Sequence, residues 1–466
     1  MELDRRLLLT LPFLAFGCSE PAASAPAQPQ QVAEATPAES APTKEAQAAP
    51  AKEASAAVKA KRTFGNRPLN VILLTVDALR ADMPWTGYAR DIAPNLTKLA
   101  ARSIVFENHR ATTSNTAQSL PTLLTGRFAS SLYRSGYFFA GYAEDNEMFP
   151  EILQSKGVRT IGVQAHMYFN RGKGLEQGFD VWDMVPGISF NEKTDEHVTS
   201  AKTTQALTDL LSKPENTSAR FFAWTHYMDP HHEYVKHKDS PDFGNSLRDV
   251  YDNEVHHTDH HIGQFLAFAE KQSWWKDTAV IVTADHGEAF GEHGRNQHAH
   301  DLYEEVVRVP LMFYAPGVEG RRVTSLHTHL DLAPTIVELM NAGTLTGAQG
   351  QSLVPVLNGD TLPAKPVVLE LAADNVQPAR QAIVVENYKL IRFGSKAGAP
   401  EKLFDLQADP KESRDLSRDQ PEKATELSKA LDARFEAVPS VQPFGGMKLK
   451  DGSVANGPKK RSVASL

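Results

Sequence analysis

Residues 283–294, TADHGEAFGEHG, decide the fold of this chain and the place of its chemistry. An apolar, β-branched run, residues 278–283 (TAVIVT), leads directly into Asp285 and His286. Such a short run, bounded by glycine, predicts a buried strand of a parallel sheet. Ligands of open α/β sheets gather outside the carboxyl ends of strands, so an Asp–His pair there is well placed to hold a metal ion. The alternative is an aspartate that caps a helix, followed by an unrelated histidine.

A second apolar run, residues 68–76, predicts the first strand of the sheet and ends in Asp77. Asp77, Asp285 and His286 therefore all fall at predicted strand ends. The position after Asp77 is Ala78, where a second aspartate would have added another ligand. Carboxylate and imidazole ligands favour Zn²⁺ or Mn²⁺, and Ca²⁺ is a further candidate.

Residues 111–127 run from a hydroxyl-rich loop into a short apolar segment that predicts a helix closed by Gly126. A hydroxyl at the start of a helix lies where free N–H groups and the helix dipole favour negative charge. With a metal ion alongside, such a hydroxyl can act as an alkoxide nucleophile near neutral pH. A Ser or Thr cap without any chemistry is the alternative, and this stretch alone leaves both open.

Histidines lie at the end of a further predicted strand and on a predicted helix. The strand over residues 221–226 ends at His226, and His231 comes shortly after it, so both could meet an anionic substrate. The neighbouring His232 is interpreted as idle. Four more histidines lie on a helix predicted to begin at Tyr251: His256, His257, His260 and His261. Their spacing allows metal binding, but a solvated helical face is the favoured interpretation.

Composition and the N-terminus limit the class of protein. With 466 residues, 41% of them hydrophobic, and a net charge of −8, the chain is typical of a globular protein and offers no basic patch for nucleic acid. Residues 1–18 predict an export signal whose apolar core is too short to span a membrane. Cys18 is the only cysteine, and its position resembles a lipobox, which predicts lipidation. A plain cleaved signal peptide and a twin-arginine signal at Arg5 and Arg6 are the alternatives.

The rest of the chain divides by composition. Residues 19–62 are rich in Ala, Pro and Glu and predict a disordered tether. We expect a catalytic domain over residues 63–342, a C-terminal subdomain over residues 343–437 and a flexible tail over residues 438–466. Within the subdomain, strands are predicted over residues 382–393 and 401–406, with a helix over residues 421–437. Together with Cys18, this organisation predicts an exported bacterial lipoprotein on the periplasmic face of a membrane in the cell envelope.

Several motifs in this order resemble the sulfatase family of the alkaline phosphatase superfamily. They are residues 70–80 (NVILLTVDALR), 123–127 (LLTGR), 229–231 (DPH), 285–294 (DHGEAFGEHG), 307–311 (VRVPL) and 403–406 (LFDL). The resemblance covers residues 67–435. It implies an α/β sandwich with a large central mixed sheet flanked by helices, plus a small C-terminal α+β subdomain.

The chain departs from the main type of sulfatase at the nucleophile. That type uses a Cys or Ser, ahead of x-Pro-x-Arg, which is oxidised to formylglycine, whereas this chain has Thr116 in that slot and no cysteine in the mature domain. Formylglycine is therefore excluded. Residues 116–121 (TAQSLP) instead resemble the Thr-x-x-Ser-x-Pro nucleophile segment of phosphoethanolamine transferases, which carry histidines spaced like His226, His231 and His298.

The resemblance implies a metal-dependent hydrolase of phosphate or sulfate esters, with phosphate esters, including diesters, favoured. Thr116 is expected to be the nucleophile and the fourth metal ligand. Four histidines are expected to bind the anionic ester, protonate the leaving group or hold a second metal: His226, His231, His298 and His300. An envelope phosphoethanolamine-type transferase is one alternative. A non-catalytic envelope binding protein, suggested by Ala78, is the other.

Overall fold

The computed structural model describes residue 64 and residues 67–185 and 198–444. All of them belong to one unit of the chain, residues 59–466. The predicted signal and tether, Cys18, and the tail beyond residue 444 lie outside the described residues, so lipidation and anchoring stay predictions. Within the part that is described, no helix combines the length and the apolar character needed to cross a membrane.

Sixteen strands and ten α-helices are present in the described residues. The strands are β1 Asn70–Val76, β2 Ile104–Phe106, β3 His109–Arg110, β4 Arg159–Gln164, β5 Val181–Met184, β6 Phe221–Tyr227, β7 Thr278–Ala284, β8 Ala289–Phe290, β9 Asn296–Gln297, β10 Leu311–Tyr314, β11 Arg321–Val323, β12 His327–Thr328, β13 Val367–Leu371, β14 Arg380–Val385, β15 Tyr388–Arg392 and β16 Glu401–Asp405. The helices are α1 Pro94–Ala100, α2 Thr116–Thr125, α3 Phe149–Ser155, α4 Ser200–Leu211, α5 Pro214–Thr217, α6 Leu247–Ala269, α7 Glu304–Val307, α8 Leu332–Leu339, α9 Val354–Leu357 and α10 Pro421–Glu436.

The main sheet has eight strands in the order β11-β2-β10-β7-β1-β6-β4-β5. β7, β1, β6, β4 and β5 are parallel, whereas β10 runs antiparallel to β7 and to β2, so the sheet is mixed. Every residue of β1, β6 and β7 is buried, because these strands are covered on both faces and carry continuous apolar runs. The predicted fold class, a large mixed sheet flanked by helices, is confirmed.

The register of the central strands places the predicted metal ligands Asp77 and Asp285 at the same height along the sheet. Val76 at the end of β1 pairs with Ala284 at the end of β7 and with Tyr227 at the end of β6. The next residues, Asp77 and Asp285, therefore leave the same edge of the sheet side by side. This edge is the carboxyl end of the parallel strands, where the site was expected.

Two helices matter for function. The helix predicted before Gly126 is α2; Gly126 has a φ of 63° and donates its N–H to the carbonyl of Thr122, which ends the helix. The prediction that the next long helix begins at Tyr251 was wrong, because α6 begins four residues earlier. Ser246 and Asp249 form a reciprocal capping box there, each side chain accepting from the other's backbone N–H.

The C-terminal part contains an antiparallel sheet of four strands, β13 to β16, and the helix α10. Leu427 and Leu431 of α10 are buried in a cluster with Ile383 of β14 and Leu390 of β15. The strand predicted over residues 382–393 is in fact β14 and β15, separated by a turn in which Glu386 has a φ of 53°. The domain boundaries themselves stay a prediction.

Candidate active site

Two aspartates at the strand ends each have one oxygen held and one oxygen free of hydrogen bonds. Asp285 Oδ1 accepts from the backbone N–H of Ala78 (3.2 Å) and of His286 (2.8 Å). Asp77 Oδ2 lies 3.1 Å from Nε2 of His226. The remaining oxygens, Asp77 Oδ1 and Asp285 Oδ2, are buried without a hydrogen-bond partner. Buried carboxylate oxygens are costly unless they are paired, so this arrangement fits a cation between them.

His286 completes the set of ligands. Its Nδ1 donates to the carbonyl of Gly287 at 2.9 Å, which leaves the lone pair on Nε2. Nε2 lies 3.3 Å from Asp285 Oδ2 and 3.7 Å from Asp77 Oδ1. In the described part of the chain, these three residues form the one group of His, Cys, Asp or Glu whose ligand atoms all lie within 4.8 Å of one another. Two carboxylates and a neutral imidazole fit a divalent ion such as Zn²⁺ or Mn²⁺.

Thr116 lies beside this group at the first residue of α2. Its Oγ1 donates to His286 Nε2 at 2.9 Å, so the hydroxyl faces the predicted metal ligands. The neighbouring hydroxyls are used elsewhere. Ser119 donates to the backbone carbonyl of Asp285 at 2.5 Å, and Ser114 donates to the carbonyl of Asp301 at 2.7 Å. Thr116 is therefore the hydroxyl of this segment that the fold brings to the ligands.

His298 lies next to the same group. Its ring centre lies 4.1 Å from that of His286 and 5.2 Å from that of His231. Nδ1 lies 3.1 Å from Glu288 Oε1, and Tyr234 donates its hydroxyl to the other oxygen of Glu288 at 2.8 Å. Burial opposes protonation of His298, but the charge and hydrogen bond of Glu288, with the nearby aspartates, raise its pKa to about 9.

The other predicted histidines occupy different places. His226 is fully buried within β6, where Nδ1 lies 2.9 Å from Thr75 Oγ1 and Nε2 contacts Asp77. His226 therefore lies behind Asp77 and does not line the cavity above Thr116, and its predicted contact with the substrate stays a prediction. His300 Nδ1 accepts from the side-chain amide of Gln377 at 3.0 Å, and its ring faces the cavity above Thr116.

Comparison with protein-family models identifies the chain. The model of the family named Sulfatase matches residues 69–342, more than half of the chain. The chain belongs to the sulfatase family. A second model, that of the N-sulphoglucosamine sulphohydrolase C-terminal region, matches residues 291–440 of this sulfatase-family chain. The predicted family is confirmed by these matches.

Individual relatives are similar over part of their length. Arylsulfatase K of Gallus gallus is 29% identical over 183 residues, which are 37% of this chain and 34% of the relative. The multifunctional alkaline phosphatase superfamily protein PehA of Trinickia caryophylli is 28% identical over 199 residues, 37% of each chain. The match thus spans about a third of each curated relative. The structure of the phosphonate monoester hydrolase of Agrobacterium radiobacter has a TM-score of 0.66 at 17% identity, covering 84% of this chain and all of that one, and shows the common fold.

A cavity of about 420 Å³ opens above Thr116 in this sulfatase-family chain. It is lined by Asn115, Thr116, Ala117, Phe138, Phe139, His231, His232, Glu233, Gln297, His298, Ala299 and His300. His232, which was interpreted as idle, therefore faces the cavity. Phe138 and Phe139 pack edge to face with ring centres 5.2 Å apart and form an apolar wall.

Glu288 and Phe139 were not predicted from the sequence. Glu288 follows Asp285 and His286 within residues 283–294, and a further carboxylate so close to the predicted metal ligands is a signal for it. Phe139, by contrast, lies in an irregular segment without a motif, and only tertiary packing brings it to the cavity.

Proposed function

We propose that this chain is a metal-dependent hydrolase of anionic esters, that Thr116 is its nucleophile, and that phosphorus esters, including diesters, react faster than sulfate esters. The observation that carries the proposal is the position of Thr116 Oγ1, 2.9 Å from His286 Nε2 and beside the unpaired oxygens of Asp77 and Asp285. These four residues would hold the ion. A divalent ion bound there lowers the pKa of a hydroxyl and neutralises charge on the ester.

The identity of the nucleophile argues for phosphorus chemistry. Threonine carries a methyl group on Cβ and cannot be oxidised to the aldehyde that cysteine or serine would give, so its hydroxyl must attack directly. A formylglycine hydrate has a further hydroxyl that expels sulfate, whereas a threonyl sulfate has no such exit. A threonyl phosphoryl ester can be hydrolysed by water, and the fixed charges of the site suit a transferring group whose charge is spread over several oxygens.

The proposed reaction has two steps. Thr116 Oγ1 loses its proton to solvent and forms a bond to phosphorus, while the bond between phosphorus and the leaving oxygen breaks. His298 donates a proton to that leaving oxygen; its Nδ1 is held by Glu288, so Nε2 is the nitrogen that can serve the substrate. Water then attacks phosphorus, the bond to Thr116 breaks, and Oγ1 regains a proton.

The cavity supports an ester with an apolar leaving group. Phe138 and Phe139 line one part of it, and His231, His298 and His300 line another, so an apolar group and an anion can be bound at once. The printed names of two similar proteins point to related chemistry. One is a multifunctional member of the alkaline phosphatase superfamily, and the other is a phosphonate monoester hydrolase.

Matched p-nitrophenyl esters test the proposal. We expect a higher kcat/KM for the phosphate diester and the phenylphosphonate than for the sulfate, with Zn²⁺ or Mn²⁺ supplied. Thr116→Ala should lose most of the activity. Ser114→Ala is the matched control, because its hydroxyl bonds to a loop carbonyl, and it should lose far less. A clear preference for the sulfate ester contradicts the proposed substrate, and full activity in Thr116→Ala contradicts the proposed nucleophile.

A further inference from the structure

A second cluster of potential metal ligands lies on α6 and the loop before it. Glu254, His257 and His261 are three and four residues apart, so they share one face of α6. The ring of His257 lies 4.6 Å from that of His261, centre to centre. His237 reaches this face from the loop, with its ring 3.6 Å from that of His257 and its Nε2 3.7 Å from Glu254 Oε1. The cluster shares no residue with the Asp77, Asp285 and His286 site.

Three atoms of this cluster have no hydrogen-bond partner although they are buried. They are Nε2 of His237, Nε2 of His257 and Oε2 of Glu254. The Glu254 residue is only 2% exposed, so water does not readily satisfy its carboxylate. Such groups are rare in folded proteins, and a bound ion is one of the few arrangements that accounts for several of them in one place.

The charge states of these groups suit a cation. Burial, together with the neighbouring histidines, lowers the pKa of His257 to about 3 and also lowers the pKa of His237 and of His261. These shifts favour the neutral imidazole, which is the form that binds a metal. Burial and the nearby Asp229 raise the pKa of Glu254 well above its ordinary value, and a cation would relieve this cost.

The loop that carries His237 is fixed to α6 by several side chains: Glu254 Oε1 accepts from the N–H of Val235 at 3.4 Å, and His256 Nδ1 lies 3.2 Å from Ser240 Oγ. Asn253 Oδ1 accepts from the backbone N–H of His237 at 2.6 Å, and Asn253 Nδ2 donates to the carbonyls of His237 (3.2 Å) and Pro241 (2.8 Å). The backbone of His237 is thus held against the helix independently of its ring.

We propose that His237, His257, His261 and Glu254 form a second site for a divalent transition-metal ion, for which Zn²⁺ is the best match. Three imidazoles and one carboxylate supply the N and O ligands that Zn²⁺ takes in a tetrahedral arrangement. The rings of His237 and His257 lie face to face, 7° from parallel, and the ligand atoms of the four residues do not all lie within 4.8 Å of one another, so binding of an ion requires their side chains to rotate. This replaces the sequence-based interpretation of these helix histidines as a solvated face.

An ion in this second site would also act on the cavity. The segment that ends at His237 carries His231 and His232, which line the cavity, and Tyr234, whose hydroxyl bonds to Glu288. Binding of the His237 ring to the ion adds a further restraint, beside the hydrogen bonds of Asn253, at the C-terminal end of this segment. We therefore expect the ion to order residues 231–242 without taking part in the reaction.

Zinc titration of the full chain tests the proposal. In an Asp285→Asn background, which removes a ligand of the first site, calorimetry and metal analysis should find one Zn²⁺ per chain. Adding His257→Gln or, separately, His237→Gln should weaken that binding by at least about tenfold, because each removes a ligand. His260→Gln is the matched control: its ring lies on the same helix, is exposed and bonds to Gln264, so binding should not change.

Hydrogen exchange gives a second measurement in the same proteins. Zn²⁺ should slow exchange in residues 231–242 of the Asp285→Asn chain and leave it unchanged after His237→Gln is added. The proposal is overturned if the Asp285→Asn chain binds no Zn²⁺, or if His257→Gln and His237→Gln both bind as tightly as the control. These outcomes do not depend on ester turnover, so failure of the proposed function is distinguishable from failure of this site.

Discussion

The substitution Asp285→Asn separates two roles of Asp285, because the two carboxylate oxygens of Asp285 lie in different surroundings. Oδ1 accepts from the N–H groups of Ala78 and His286, whereas Oδ2 has no hydrogen bond. Asparagine keeps an oxygen acceptor in the place of Oδ1 and puts an NH₂ group in the place of Oδ2. It therefore preserves both hydrogen bonds and removes the negatively charged metal ligand. Alanine loses both bonds and leaves two buried N–H groups unpaired, at about 1–3 kcal/mol each. Without metal, Asp285→Asn should match or exceed the stability of the unsubstituted chain, and Asp285→Ala should fall about 2–6 kcal/mol below it.

Urea unfolding in the presence of a chelator and then of Zn²⁺ measures both effects. A His257→Gln background removes the proposed second site, so the response reports the first site alone. At a free Zn²⁺ concentration about 1,000 times the Kd, bound metal stabilises the folded chain by about 4 kcal/mol. This increment should be present in the background chain and absent after Asp285→Asn. The reasoning is refuted if Asp285→Asn keeps the increment, or if the chelated Asp285→Asn protein is as unstable as Asp285→Ala.

Three further predictions each concern a single residue. Ser119→Ala removes the hydroxyl that donates to the Asp285 carbonyl, so metal affinity, measured by calorimetry, should fall about 10–100-fold, whereas Ser114→Ala should leave it unchanged. His109 is fully buried, and burial with nearby positive groups holds its pKa well below the ordinary 6.5. Below pH 6.5 the unfolded chain therefore binds a proton that the folded chain does not, and the free energy of unfolding should fall by up to about 1.4 kcal/mol per pH unit from this residue. Urea unfolding at pH 7, 6 and 5 should give a smaller slope for His109→Leu, and equal slopes would contradict this assignment. Cys18→Ser should release the protein from the membrane fraction, a prediction that fails if the unsubstituted protein is soluble and mass spectrometry finds no lipid.

The grouping of Asp77, Asp285 and His286 could be predicted from sequence because it depends on local pattern and strand register. Apolar runs before Asp77 and Asp285 predict two buried parallel strands, and parallel strands in a sheet end at a common edge. The structure pairs Val76 with Ala284, so the two aspartates lie together. Thr116 could be placed for a similar reason, since a helix start followed by Gly126 at its end is a local signal.

The remaining features depend on contacts that are distant in sequence. His226 is the sixth of the seven residues in β6, and its burial against Thr75 follows from the pairing of two strands whose partner residues are 151 positions apart in the sequence. The bond between Tyr234 and Glu288, and the approach of Phe139 to the cavity, likewise come from loops folding over the sheet edge. No periodicity in the sequence encodes such contacts. The histidines of α6 could be placed on a helix, but their stacking with His237 required the path of the preceding loop.

The central claim is that Thr116 forms a covalent phosphoryl ester, and mass spectrometry after rapid acid quench tests it most directly. Trypsin cleaves after Arg110 and Arg127, so one peptide, residues 111–127, carries Thr116 together with the neighbouring hydroxyls. During turnover of a p-nitrophenyl phosphorus ester, this peptide should gain the mass of the transferred group, and fragmentation should place it on Thr116. The account is contradicted if the group is found on another residue, or if Thr116→Ala turns over the same ester at the unsubstituted rate.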